Sequence, residues 1–130
     1  MKNLPPVTLA LDFGTKRVGI AISRGSLAEP LQIIANDEHT LAEIARIATT
    51  EQVEQIVVGV SENVMAELST AFAAQVGQVT ALPIKLWDET LSSYAVGEKL
   101  KNPGVSAHRR QRAIDHLAAA EFLQDYLDSI

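Results

Sequence analysis

Val7-Thr8-Leu9-Ala10-Leu11-Asp12-Phe13-Gly14-Thr15-Lys16-Arg17-Val18-Gly19-Ile20-Ala21-Ile22-Ser23 is the stretch on which the fold turns. Residues 7–12 are a short, nearly continuous apolar run, the pattern of a strand buried on both faces, and the run ends in a carboxylate. Phe13-Gly14-Thr15-Lys16 reads as a turn, and 18–23 is a second apolar run. A connection this short joins two strands only as an antiparallel hairpin.

Working outward, a third strand is expected over 31–35 with Pro30 at its entry, which extends the hairpin into a meander. Leu41, Ile44, Ala45, Ile47 and Ala48 are spaced for one face of a helix that Asp37 or Thr40 would cap. That helix feeds Gln55-Ile56-Val57-Val58-Gly59-Val60, a fourth strand. A second helix is predicted over 64–76 from Leu68, Phe72 and Val76, ending near Gly77, and a fifth strand over 83–89 again terminates in acid. A helix over 91–100, a loop at Lys101-Asn102-Pro103-Gly104 and a final helix over 107–127 complete the chain. Strand–helix–strand connections imply parallel pairing through right-handed crossovers. The fold class is therefore α/β, with a mixed five-stranded sheet flanked by helices: a three-strand meander, then parallel strands.

The chain has 130 residues, 47% of them hydrophobic and 21% charged, which suits a single domain, 1–130, with one core. It has no cysteine, excluding disulfides, thiolate metal sites and cysteine nucleophiles. No apolar run approaches the ~20 residues needed to span a bilayer, and the N-terminus carries no signal-peptide cleavage pattern, so a cytoplasmic protein without a membrane partner is expected. The formal charge of −5 conceals an asymmetry. Residues 29–67 hold eight acidic residues and one basic residue, Arg46, for a net −7, and the remainder is net +2. Lys99, Lys101, Arg109, Arg110 and Arg112 fall within fourteen residues that contain no acid.

Three acidic positions stand out from their apolar frames. Asp12 ends the first strand and Asp88-Glu89 end the fifth, so their strand ends converge on one edge if those strands lie near each other. Asp115 is in phase with the apolar stripe Ala118, Ala119, Phe122, Leu123 and Tyr126 of the last helix. A carboxylate on such a stripe is costly unless paired or bound to metal. Converging carboxylates raise each other's pKa unless a cation lies between them, and hard oxygen ligands without cysteine suit Mg²⁺ or Mn²⁺. Two such ions would serve phosphoryl chemistry, and the basic cluster before Asp115 would hold a phosphate backbone. Structural roles stand beside these: Asp12 shaping a turn, Asp88 capping the next helix, Asp115 pairing with Arg112, His116, Lys16 or Arg17. Ser61, Ser92 and Ser93 lack a nucleophile elbow, and no Walker A or G-x-G-x-x-G motif occurs.

The segment from Leu9 to Ser23 resembles the opening signature of the YqgF (RuvX) family, D-[FY]-G-x-[KR]-x-[IV]-G-[VI]-A. Trp87-Asp88-Glu89-Thr90-Leu91-Ser92-Ser93-Tyr94-Ala95 resembles its D-E-R-L-[ST]-T-x-x-A block, and Ile114-Asp115-His116-Leu117-Ala118-Ala119 with Leu123-Gln124-Asp125-Tyr126-Leu127 resembles its last helix. The resemblance implies a ribonuclease H-like fold related to the RuvC Holliday junction resolvase. It implies a hydrolase, a nuclease processing the 5′ end of pre-16S ribosomal RNA in ribosome biogenesis. Asp12, Glu89 and Asp115 would then be catalytic and metal-binding, with Asp88 a less certain metal ligand, two Mg²⁺ or Mn²⁺ ions as cofactors, and Lys16, Arg109, Arg110 and Arg112 on the nucleic acid. Alternatives are a resolvase on branched DNA, which usually requires a dimer, and a nucleic-acid-binding module with weakened chemistry; a monomer or a homodimer is expected. Two departures from the family pattern bear on activity: Thr90 stands where an arginine is usual, and Ser61-Glu62 replaces a proline-containing loop, leaving open whether Glu62 is a metal ligand.

Overall fold

The protein is described from a computed structural model over residues 5–60, 64–88 and 107–130, with backbone alone at 64–65 and 107–117. In β1 (Thr8–Phe13) the first four residues are buried, and β2 (Arg17–Ser23) pairs with it antiparallel from Thr8↔Ser23 to Phe13↔Val18. The turn between them is tight: a Cβ on Gly14 would lie 2.7 Å from the Arg17 carbonyl oxygen, so any other residue there forces the backbone to shift. β3 (Ala28–Ala35) pairs antiparallel with β2, completing the meander. Crossovers through α1 (Thr40–Thr50) and α2 (Val64–Thr80) then add β4 (Gln55–Val60) parallel to β1 and β5 (Ile84–Asp88) parallel to β4. The sheet order is β3-β2-β1-β4-β5, and α3 (Ala107–Ser129) closes the chain. This is the mixed five-stranded sheet expected from the sequence.

Strand alternation divides the core into two layers. On one face Leu9, Leu11, Ile20, Ile56 and Val58 pack against Ile44 and Ile47 of α1 and Phe72 and Val76 of α2. On the other, Ala10, Ala21 and Val57 meet Ala119, Phe122, Leu123 and Tyr126 of α3. The sheet residues under α3 are small, which lets a helix carrying Phe122 lie close. Each fully buried Leu, Ile or Phe adds about 1.5–3 kcal/mol.

Three local expectations are corrected. β3 starts at Ala28, three residues before the expected 31, with Pro30 inside it. Proline is tolerated because β3 is an edge strand, and the register shifts where Pro30 meets Ala21. α2 continues through Gly77 to Thr80. Gly77 serves close packing instead: a Cβ there would stand 3.1 Å from Cγ1 of Ile84. The helix ends when Ala81 enters the left-handed region at φ 59°. Neither Asp37 nor Thr40 caps α1, whose N-cap is His39. They close the preceding turn, Asp37 Oδ1 accepting from the His39 N–H and Thr40 Oγ1 from the Asp37 N–H. β5 ends at Asp88; Glu89, the helix expected over 91–100 and the loop 101–104 lie outside the described residues. No helix of the described residues is long and apolar enough to cross a membrane.

Candidate active site

Leu11 and Phe13 point into the α1–α2 layer, so the residue between them, Asp12, lies on the α3 face, half-buried. In register it faces Gly19 of β2 on one side and Gly59 of β4 on the other. Neither neighbour has a side chain beyond Cα, and the three meet at the end of the sheet where β1 and β4 stop. Gly59 registers in turn with Trp87 of β5, so β1 and β5 are separated by one strand. Trp87 packs edge-on against Tyr126, ring centroids 5.6 Å apart, and its buried indole N–H has no hydrogen-bond partner among the described residues.

The direction of α3 follows from its polar anchors. Gln55 Nε2 donates to Tyr126 Oη at 3.2 Å and to Thr8 Oγ1 at 3.0 Å. Gln124 accepts from the Ala28 N–H at 2.9 Å and donates to the Ser26 carbonyl at 3.0 Å. These bonds pin the C-terminal half of α3 at the edge where β1, β3 and β4 begin, and the helix passes back across Ala10 and Ala21. From Tyr126 to position 115 is eleven residues, about 16 Å of helix, and Thr8 to Asp12 spans about 13 Å of strand. The helix backbone at position 115 therefore lies toward the end of the sheet where β1 stops.

The other expected site residues fall as follows. Asp88 is exposed, registers with Val60 and by alternation from Trp87 lies on the α1–α2 face, opposite Asp12. Lys16 is exposed on the β1–β2 turn, just past the end of β1. Positions 109, 110 and 112 lie in the first turns of α3, at the same edge as 115. Glu62, Glu89 and Thr90 lie outside the described residues, as do the side chains at 109–115. Among the described residues no three Asp, Glu or His side chains converge on a point. Sequence reasoning missed the two glycines beside Asp12; the available signal was that glycine weakens a strand interior and marks close approach of another group.

Residues 6–129 match the family described as "RuvX: Holliday junction resolvase". A protein of Geobacillus kaustophilus named "Putative pre-16S rRNA nuclease" is 40% identical over 134 residues, covering 94% of this chain and 97% of the relative. The chain belongs to the RuvX family. A second RuvX relative with the same name, from Desulforamulus reducens, is 38% identical over 93% of this chain and 96% of its own. Among solved structures, Thermus thermophilus RuvC in complex with a Holliday junction substrate superposes with a TM-score of 0.60 at 14% identity, covering 96% of this chain and 95% of that one. The fowlpox virus Holliday junction resolvase gives a TM-score of 0.58 at 14% identity, with 95% and 99% covered. The RuvX fold here is thus ribonuclease H-like, and the match spans all three acid-bearing segments.

Proposed function

We propose that this protein is a divalent-metal-dependent nuclease that hydrolyses phosphodiester bonds in structured RNA, the whole chain acting as one domain in the cytoplasm. The observation that carries the reading is the setting of Asp12: a half-buried carboxylate between two side-chain-free positions at a strand end. The donor set fits Mg²⁺ or Mn²⁺, since hard carboxylate oxygens are offered where Gly19 and Gly59 leave room. Asp12, Glu89 and Asp115 would hold two such ions, and Asp88, on the opposite face of the sheet, would not join them. When bound, divalent cations lower the pKa of a water and offset charge on a leaving oxygen. Glu89 would orient the attacking water, and Lys16, Arg109, Arg110 and Arg112 would hold phosphates on either side of the scissile bond. The names of the relatives favour pre-16S rRNA as substrate.

A second reading, a resolvase on branched DNA, is favoured by the family's description and by the likeness to junction-bound RuvC. It requires a homodimer that presents two sites. One assay separates the two: Mn²⁺-dependent cleavage of precursor rRNA, single-stranded RNA and a four-way DNA junction, with Asp12→Asn as control. Cleavage of precursor rRNA that Asp12→Asn abolishes without unfolding the protein is expected. Cleavage confined to the junction favours the resolvase, and activity that survives Asp12→Asn or excess chelator removes the mechanism.

A further inference from the structure

We infer that Asn36 is a positioning residue that holds Lys16 against the nucleic acid, an inference that rests on the nuclease reading above. The β1–β2 turn, Gly14-Thr15-Lys16, carries that cation beyond the last hairpin pair, Phe13↔Val18, where bonds from another element can fix it. Asn36 supplies them from outside the hairpin. Its side-chain Nδ2 donates to the Gly14 carbonyl at 2.7 Å, and its backbone N–H donates to the Lys16 carbonyl at 2.9 Å. One residue thus grips both ends of the turn.

Asn36 is itself held. Its Oδ1 accepts from Thr40 Oγ1 at 3.4 Å, and that buried hydroxyl also contacts the Ala35 carbonyl at 3.0 Å and accepts from the Asp37 N–H at 2.7 Å. The turn is therefore braced against the start of α1, at the end of β3, two strands away from β1. The amide is suited to this and a carboxylate is not: Oδ1 must accept while Nδ2 donates to a carbonyl, so an aspartate would set like charge against Gly14 O. Lys16 is exposed, so a loose turn lets its ammonium wander, and a phosphate contact then has to repay that lost order.

The test is a double-mutant cycle on binding of a precursor-rRNA fragment in Ca²⁺ or chelator, which removes cleavage from the readout. Lys16→Ala should weaken binding and reduce the salt dependence of log K by about 0.7–0.9, the share of one phosphate. Asn36→Ala should weaken binding by about threefold to tenfold, the worth of a hydrogen bond or two, and Asn36→Asp at least as much. The Asn36→Ala/Lys16→Ala double variant should bind within about twofold of Lys16→Ala alone. A purely structural Asn36 would instead add its full loss on top of Lys16→Ala. That additive outcome, or unchanged binding in Asn36→Ala, overturns the inference and leaves the nuclease reading standing. If Lys16→Ala binds normally while Asp12→Asn abolishes cleavage, the Lys16 role fails by itself. Cleavage that persists in Asp12→Asn brings down the nuclease reading and this inference with it.

Discussion

Phe122→Ala tests the coupling between α3 and the sheet edge that carries Asp12. Phe122 is 1% exposed and is the bulkiest of the fully buried side chains. Its truncation should cost about 3–5 kcal/mol. The upper half of that range applies, because the sheet residues beneath it include Ala10 and Ala21, which cannot grow into the space. Against a total stability of about 5–15 kcal/mol this is a large fraction, a fall of roughly 10–20 °C in Tm. The loss is confined to one layer: the cluster joining α1 and α2 to the opposite face contains no residue of α3. The variant should therefore loosen α3 while the sheet and the other two helices hold. In the proposed site Asp115 of a docked α3 joins Asp12 at the metal, so Mn²⁺ should restore part of the loss, about 2.7 kcal/mol at a hundredfold excess over Kd. Urea denaturation followed by circular dichroism, with and without Mn²⁺, reads both effects. A loss below about 1 kcal/mol would refute the packing argument. Equal recovery by Mn²⁺ in Phe122→Ala and in Phe122→Ala/Asp12→Asn would refute the link to Asp12.

Trp87 is the only tryptophan and lies two strands from Asp12, about 10 Å away, so its emission should be quenched by Mn²⁺ more than by Mg²⁺, and Asp12→Asn should abolish the difference. Gly77→Ala gains about 1 kcal/mol of helix propensity but crowds Cγ1 of Ile84, so thermal melts should show a net destabilisation of up to about 2 kcal/mol. In an Ile84→Ala background, where that atom is gone, the same substitution should stabilise. The Arg46 guanidinium beside Glu43 holds its carboxyl below the ordinary value of 4.5 and is in turn held charged. The small stabilisation from this pair is complete above pH 4.5 and disappears as pH falls through the lowered value. In acid titrations monitored by circular dichroism, Glu43→Gln should remove that part of the acid limb and leave cleavage at neutral pH unchanged.

The sheet was legible because its constraints are local. A four-residue turn, 13–16, between two apolar runs admits only a hairpin, and helices between the later strands force parallel pairing. Where a residue's reason is a distant neighbour, the reading slipped. Pro30 looked like an entry because the edge position that tolerates it depends on which strand lies outermost. Gly77 looked like a stop because Ile84 was not yet beside it. The site divides the same way. Asp12 and Asp115 were visible as acids in apolar frames, but the glycines beside Asp12 come from strands seven and forty-seven residues further on and meet it only through register. Asn36 was invisible: its bond to Gly14 spans twenty-two residues and belongs to no motif.

The two-layer core also changes what the acidic total means. The negative excess of residues 29–67 is carried largely by α1, α2 and their approaches, with Asp37, Glu38, Glu43, Glu51 and Glu67 all on or next to those helices. They cover the face opposite α3. Asp12, the start of α3 with positions 109, 110 and 112, and the Lys16 turn lie at the other face and its edge. An anionic polymer is repelled from one side of the sheet and admitted at the other, so net charge, a poor guide to whether nucleic acid binds, becomes a guide to the side from which it approaches. With Lys16, Arg109, Arg110 and Arg112 as the cations proposed for that approach, the salt dependence of binding should be that of a few phosphates instead of a long tract. Neutralising acids on α1, as in Glu43→Gln with Glu51→Gln, should raise non-specific affinity without raising the rate of cleavage. A rise in both would mean that α1 and the Asp12 edge face the same ligand.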